Sequence, residues 1–142
     1  MSRQPSQVLD AVATLLEAVT PTDQRTPSDV FRWIPTLDDV DSAPDRAFYF
    51  RGATVDQFRV FGCIEWELTA DLVAIYTDTS QGPQEQGGAL ARVVDDARTL
   101  ALTLRSSADL SYVTNFEAVT SNTDHDGRTI AHTRTFRLRY TE

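Results

Sequence analysis

Ile64-Glu-Trp-Glu-Leu-Thr-Ala-Asp-Leu-Val-Ala-Ile-Tyr76 is the most regular stretch of the chain. Ile64, Trp66, Leu68, Ala70, Leu72, Ala74 and Tyr76 take alternate positions, and Glu65, Glu67, Thr69 and Asp71 fill those between. Successive side chains of an extended backbone point to opposite sides, so this alternation predicts a strand with one buried and one wet face. After Asp71 the intervening residues, Val73 and Ile75, are apolar as well. Both faces of that end are therefore expected to be covered. The extended segment reads from about residue 58 to 78, longer than the usual strand of about 5 to 6 residues. A bend at Gly62, or half of a hairpin arm projecting from the domain, would accommodate its length.

On either side of this strand lie two stretches with helical periodicity. Val8, Leu9, Val12, Leu15, Leu16 and Val19 recur every three or four residues, which draws one apolar stripe on a helix over residues 5–20. Pro5 suits its first turn and Pro21 stops it. A second helix is expected over residues 86–106, with Leu90, Val93, Val94, Ala97, Leu100, Ala101 and Leu104 as its stripe. Arg92, Asp95, Asp96 and Arg98 fall off that stripe, with Arg92–Asp96 and Asp95–Arg98 at neighbouring spacings on the surface. Short strands are expected at 30–34 and 47–51, separated by a long loop that occupies much of residues 21–46. Two more alternating runs close the chain, around Leu110 to Ala118 and over 129–141, joined by a turn at 122–127 containing Asp126-Gly127. The order α-β-β-β-α-β-β predicts one α+β domain over residues 1–142, a mainly antiparallel sheet packed with two amphipathic helices.

Composition narrows the function. At 142 residues the chain builds a real core without staples, and its one cysteine, Cys63, forms no internal disulfide. All 13 basic residues are Arg, so lysine chemistry is excluded. The net charge of −8 argues against broad nucleic-acid binding, which depends on neutralising phosphates. No run approaches the roughly 20 apolar residues of a membrane span, and the amphipathic start carrying Asp10 and Glu17 is unlike a secretory signal. Charge is uneven: the first 71 residues hold 12 acids and 6 Arg, the remainder 9 acids and 7 Arg.

Candidate chemistry is sparse. Cys63 and His132 do not form a recognisable nucleophile pair; one reads as a small strand residue and the other as a partly buried structural histidine. Asp124-His125-Asp126-Gly127 matches neither calcium-loop nor zinc spacing and reads as a polar hairpin tip. The acidic run Asp38, Asp39, Asp41 and Asp45 reads as a solvated loop. Glu65 and Glu67 stand about 7 Å apart on one strand face, within the range of glycosidase carboxylate pairs, but no sugar cleft accompanies them. No catalytic residue, metal or cofactor is expected. On the last strand Arg137 and Arg139 make a basic face. It has two readings: cross-strand partners to Glu, or a contact with the acidic surface of a neighbouring copy.

In pattern, the chain resembles the tail terminator (tail completion) proteins of long-tailed phages. The likeness rests on an opening helix such as Val8-Leu-Asp-Ala-Val-Ala-Thr-Leu-Leu16, a loop into long strands, and a second helix like Ala89-Leu-Ala-Arg-Val-Val-Asp-Asp-Ala97. It ends on an alternating strand like Thr135-Phe-Arg-Leu-Arg-Tyr-Thr141. The resemblance implies a structural virion protein, not an enzyme. Its expected state is a homohexameric ring, assembled in the host cytoplasm and found in the tail or neck. The implied partners are further copies of itself, the tail tube protein and the head–tail connector, with no specific nucleic acid and no membrane. Candidate interface residues are Phe31, Trp33, Asp38, Asp39, Asp41, Glu65, Glu67, Arg137 and Arg139. The alternatives are another neck or tail component, such as a head-completion or tube protein, and a small-ligand domain with Tyr49, Trp66, Tyr112 and His132 around a pocket.

Overall fold

Helix α1 (Pro5–Glu17) begins where the sequence places it: Pro5 opens the first turn, and the Gln4 amide donates to Gln7 Oε1 at 2.9 Å. The computed structural model describes residues 4–21, 30–34, 45–60, 62–77, 83–106, 113–126 and 129–141. Much of the expected loop, with Asp38, Asp39 and Asp41, lies outside them. The elements that follow α1 are β1 (Arg32–Trp33), β2 (Ala47–Val60), β3 (Cys63–Thr77), α2 (Pro83–Ser106), β4 (Val113–Asp126) and β5 (Thr129–Thr141). The order is α-β-β-β-α-β-β, and the fold is α+β.

Among the described residues the strands form one five-stranded sheet in the order β1-β2-β3-β5-β4. Its pairs are antiparallel except β1 with β2, which run parallel. A parallel neighbour needs a crossover of about a dozen residues, which accounts for the length of chain between Trp33 and Ala47.

Strand boundaries depart from expectation: β1 is Arg32–Trp33 where 30–34 was expected, and two differences are larger. The long segment over 58–78 is parts of two strands, because Gly62 at φ +83° turns the chain between β2 and β3 and Phe58 pairs back onto Glu65. Glycine reaches that left-handed conformation without the steric cost of a Cβ. The hairpin lies largely within the sheet, since β5 accompanies β3 from Thr77 as far as Glu65. The second difference is at the end of β4, which runs on to Asp126, where Asp126 pairs with Thr129 of β5.

One face of the sheet carries the core. Leu68, Ala70, Leu72, Ala74 and Tyr76 of β3 join Ile130, Phe136, Leu138 and Tyr140 of β5 against Val8, Val12 and Leu16 of α1 and Val93, Leu100 and Leu104 of α2. Phe50 stands edge-on to Phe48 and to Phe136 within this layer. On the opposite face Ala47, Val73 and Ile75 are buried too, as their apolar character requires.

Candidate functional site

Two arginine–carboxylate clusters and one groove hold most of the polar chemistry of the described residues. The first cluster is interior and joins the start of β2 to α2. Arg46 has φ +63°, a conformation that a side chain rarely adopts, and its carbonyl accepts the Arg32 amide at 3.1 Å. That turn sends its side chain inward, where Nε donates to Asp96 Oδ2 at 2.9 Å, the two residues being 2% and 1% exposed. The guanidinium lies 5.9 Å from the centre of the Phe31 ring. Next to it, Asp45 accepts from the Thr77 amide at 2.9 Å and from Arg92 Nη2 at 2.7 Å. Arg92 in turn lies 6.0 Å from the centre of the Tyr76 ring. Burial holds the Tyr76 phenol well above its ordinary pKa of 10.0, and the negative charge of Asp96 pushes the same way.

Asp96 was expected on the wet face of the helix. It is buried because Val93, Asp96, Leu100 and Leu104 fall three, four and four residues apart, the spacing of the core stripe itself. An acid at such a position requires a buried cation, and Arg46 supplies it. Arg92, beyond its place on the helix surface, reaches across to Asp45.

The second cluster lies on the face opposite the helices. Arg139 Nε donates to Glu67 Oε2 at 2.9 Å, and Arg137 Nε stands 3.5 Å from Oε1 of the same carboxylate. Next along, Thr135 Oγ1 donates to Asp71 Oδ1 at 2.6 Å, with Arg51 Nη2 3.6 Å from Oδ2. Pairing of Glu67 with Arg139 and Asp71 with Thr135 across β3 and β5 brings these groups together. Of the two readings of the basic face, cross-strand pairing with Glu is the one the geometry supports.

The expected interface residues are thus dispersed. Phe31 is 1% exposed and packs in the core beneath Arg46, so it offers no outer surface. Glu67 is largely covered by its own arginines, whereas Trp33 on β1 is exposed and Glu65 is half-buried. The expected ligand pocket is not assembled. Tyr49 pairs with Val73 on one face of the sheet, while His132 pairs with Ala74 on the other. Trp66 sits eight positions along β3 from Ala74, roughly 26 Å at strand rise, and Tyr112 lies outside the described residues.

His132 instead lines a groove of about 390 Å³ between β5 and one flank of α2, with Arg134 beside it. Burial lowers the imidazole pKa below its ordinary 6.5, and the Arg134 charge adds to that. Arg134 Nη1 donates to the Ala97 carbonyl at 2.9 Å, tying strand to helix. The same flank carries Val94 and Leu102, 65% and 48% exposed. The sequence stripe had assigned Val94 to the core; the stripe is wider than the core it serves. Among the described residues no group of three or more His, Cys, Asp or Glu side chains is arranged to hold a metal ion, and no helix is long and apolar enough to cross a membrane.

No family model matches this chain, and no curated protein does.

Proposed function

We propose that the chain is a structural virion protein of the tail terminator kind: a homo-oligomeric, hexameric ring that caps the tail tube, stops its polymerisation and joins it to the head connector. The observation that carries this reading is the element order α-β-β-β-α-β-β folded into one open sheet with both helices packed on one face. That order is the pattern on which the resemblance to the tail terminators rests. An open sheet has two edges. Among the described residues, β1 covers β2 only at Ala47 and Phe48, and β4 is paired only on its β5 side. Long edges of this kind are sites where a further strand or chain is received. Two different edges on one subunit suit a heterologous contact, which closes into a ring when the rotation permits.

Such a protein works by presenting shape. It must bind the last ring of a tube and offer no second copy of that binding surface, so that growth ends there. The two buried or half-buried ion clusters serve this by holding the strands and α2 in one arrangement.

Native mass spectrometry and negative-stain imaging of the purified chain test the reading. Closed rings of uniform mass are expected. Open edges would equally serve a tube protein, and filaments of indefinite length would favour that alternative. A monomer at tens of micromolar would overturn the ring.

A further inference from the structure

The groove flank of α2 has a counterpart elsewhere on the same chain. Arg98, Leu102 and Arg105 follow one another at steps of four and three residues, and all three are exposed. Their outer two positions are seven residues apart, about 10.5 Å along a helix. On α1, Asp10, Thr14 and Glu17 are exposed at the same steps and therefore the same separation. The charges are opposite. Helix α1 contains no basic residue, and the described groove lining contains Arg98, Arg105 and Arg134 but no carboxylate. Thr14 is small and turns its hydroxyl back to the Asp10 carbonyl at 2.9 Å, so that position leaves space for a protruding side chain. Leu102, 48% exposed, protrudes at the matching place between its two arginines.

We propose that the Arg98–Leu102–Arg105 flank of α2 receives the Asp10–Thr14–Glu17 stripe of α1 from a second copy of this chain. With the two helices parallel, Asp10 meets Arg98, Thr14 meets Leu102 and Glu17 meets Arg105. Val94, 65% exposed at the near end of the same groove, is covered by the arriving helix. Each copy gives one surface and receives with the other. This contact rests on the ring reading above and assigns it a surface on the helix layer.

Sedimentation velocity on three variants tests it. Arg98→Glu with Arg105→Glu opposes acid to acid, and Asp10→Arg with Glu17→Arg opposes base to base. Each pair is expected to raise the dissociation constant about a hundredfold or more, because like charges placed face to face are strongly unfavourable. Combining all four changes restores every opposite pairing and should recover the wild-type assembly. All four side chains are exposed, so thermal melts should show each variant folded. A wild-type ring unaffected by either reversal, or a four-site variant that stays apart, overturns this contact and leaves the ring reading standing. A monomeric wild type overturns both.

Discussion

Arg46 with Asp96, and Arg139 with Glu67, are the same chemistry in two surroundings. Each arginine donates Nε to a carboxylate oxygen at 2.9 Å. In the first pair the side chains are 2% and 1% exposed; in the second they are 39% and 10%. Charges taken from water lose several kcal/mol of hydration each, which mutual attraction repays only when the geometry is good and the remaining polar atoms are satisfied. Charges left partly in water lose less and gain less. Distance alone therefore does not rank these interactions. The interior pair is held by a network that includes Asp45, Arg92 and Tyr76, and it fixes a backbone turn at φ +63°. The outer pair is a rung on an already paired sheet.

The sharpest way to break this contrast is to remove one interior partner. Asp96→Ala leaves the Arg46 guanidinium buried against Phe31 without its main counter-charge, and Arg46→Ala does the reverse. Either should destabilise the fold by about 3–5 kcal/mol, read from urea denaturation midpoints. The double change Arg46→Met with Asp96→Leu should recover most of that loss, since apolar groups of similar volume often replace a buried pair without penalty. If the double variant is as unstable as the single ones, the turn at Arg46 and the shape of the site matter more than the charges.

Glu67→Gln gives the outer comparison. It keeps the shape but removes the charge that both Arg137 and Arg139 approach. The expected loss is about 1 kcal/mol, because both arginines stay partly in water. Raising ionic strength to 1 M, where the Debye length falls to about 3 Å, should shrink the difference between wild type and Glu67→Gln while leaving that of Asp96→Ala largely intact. A loss near that of Asp96→Ala would mean that the outer cluster is as shielded as the inner one.

The same contrast explains what was legible in the residue order. Glu67 and Arg139 lie on strands whose period-two pattern gives their face directly, so a cross-strand rung was readable once β3 and β5 were neighbours. Asp96 was half-legible: its three- and four-residue steps to Val93 and Leu100 place it on the buried stripe, but an acid is ordinarily assigned to water. Arg46 was not legible. Fifty residues separate it from Asp96, and only the turn at the mouth of β2 directs it inward. Val94 shows the opposite failure, an apolar residue at helical spacing that the core leaves at the surface. Gly62 was legible as a possible break, yet Phe58 to Val60 before it also read as extended chain, which hid one hairpin inside what reads as a single extended segment.

Tyr76 sharpens the comparison by pH. Its phenol is buried beside Asp96, and that environment holds its pKa well above 10.0 in the folded chain. Between the unfolded value and the folded one, the unfolded state has released a proton that the native state still holds. The stabilisation is therefore complete below about pH 10 and is lost as pH rises through the folded pKa. Tyr76→Phe cannot release that proton, so its unfolding midpoint should fall less steeply above pH 10 than that of wild type. At neutral pH the same change removes a buried hydroxyl from the interior network and should cost about 1 kcal/mol, no more than Glu67→Gln. The difference between the two slopes is the quantity to measure, by thermal melts at 0.5-unit steps from about pH 9 to 11. Equal slopes would mean that water reaches the phenol, and the interior cluster would then belong with the outer one.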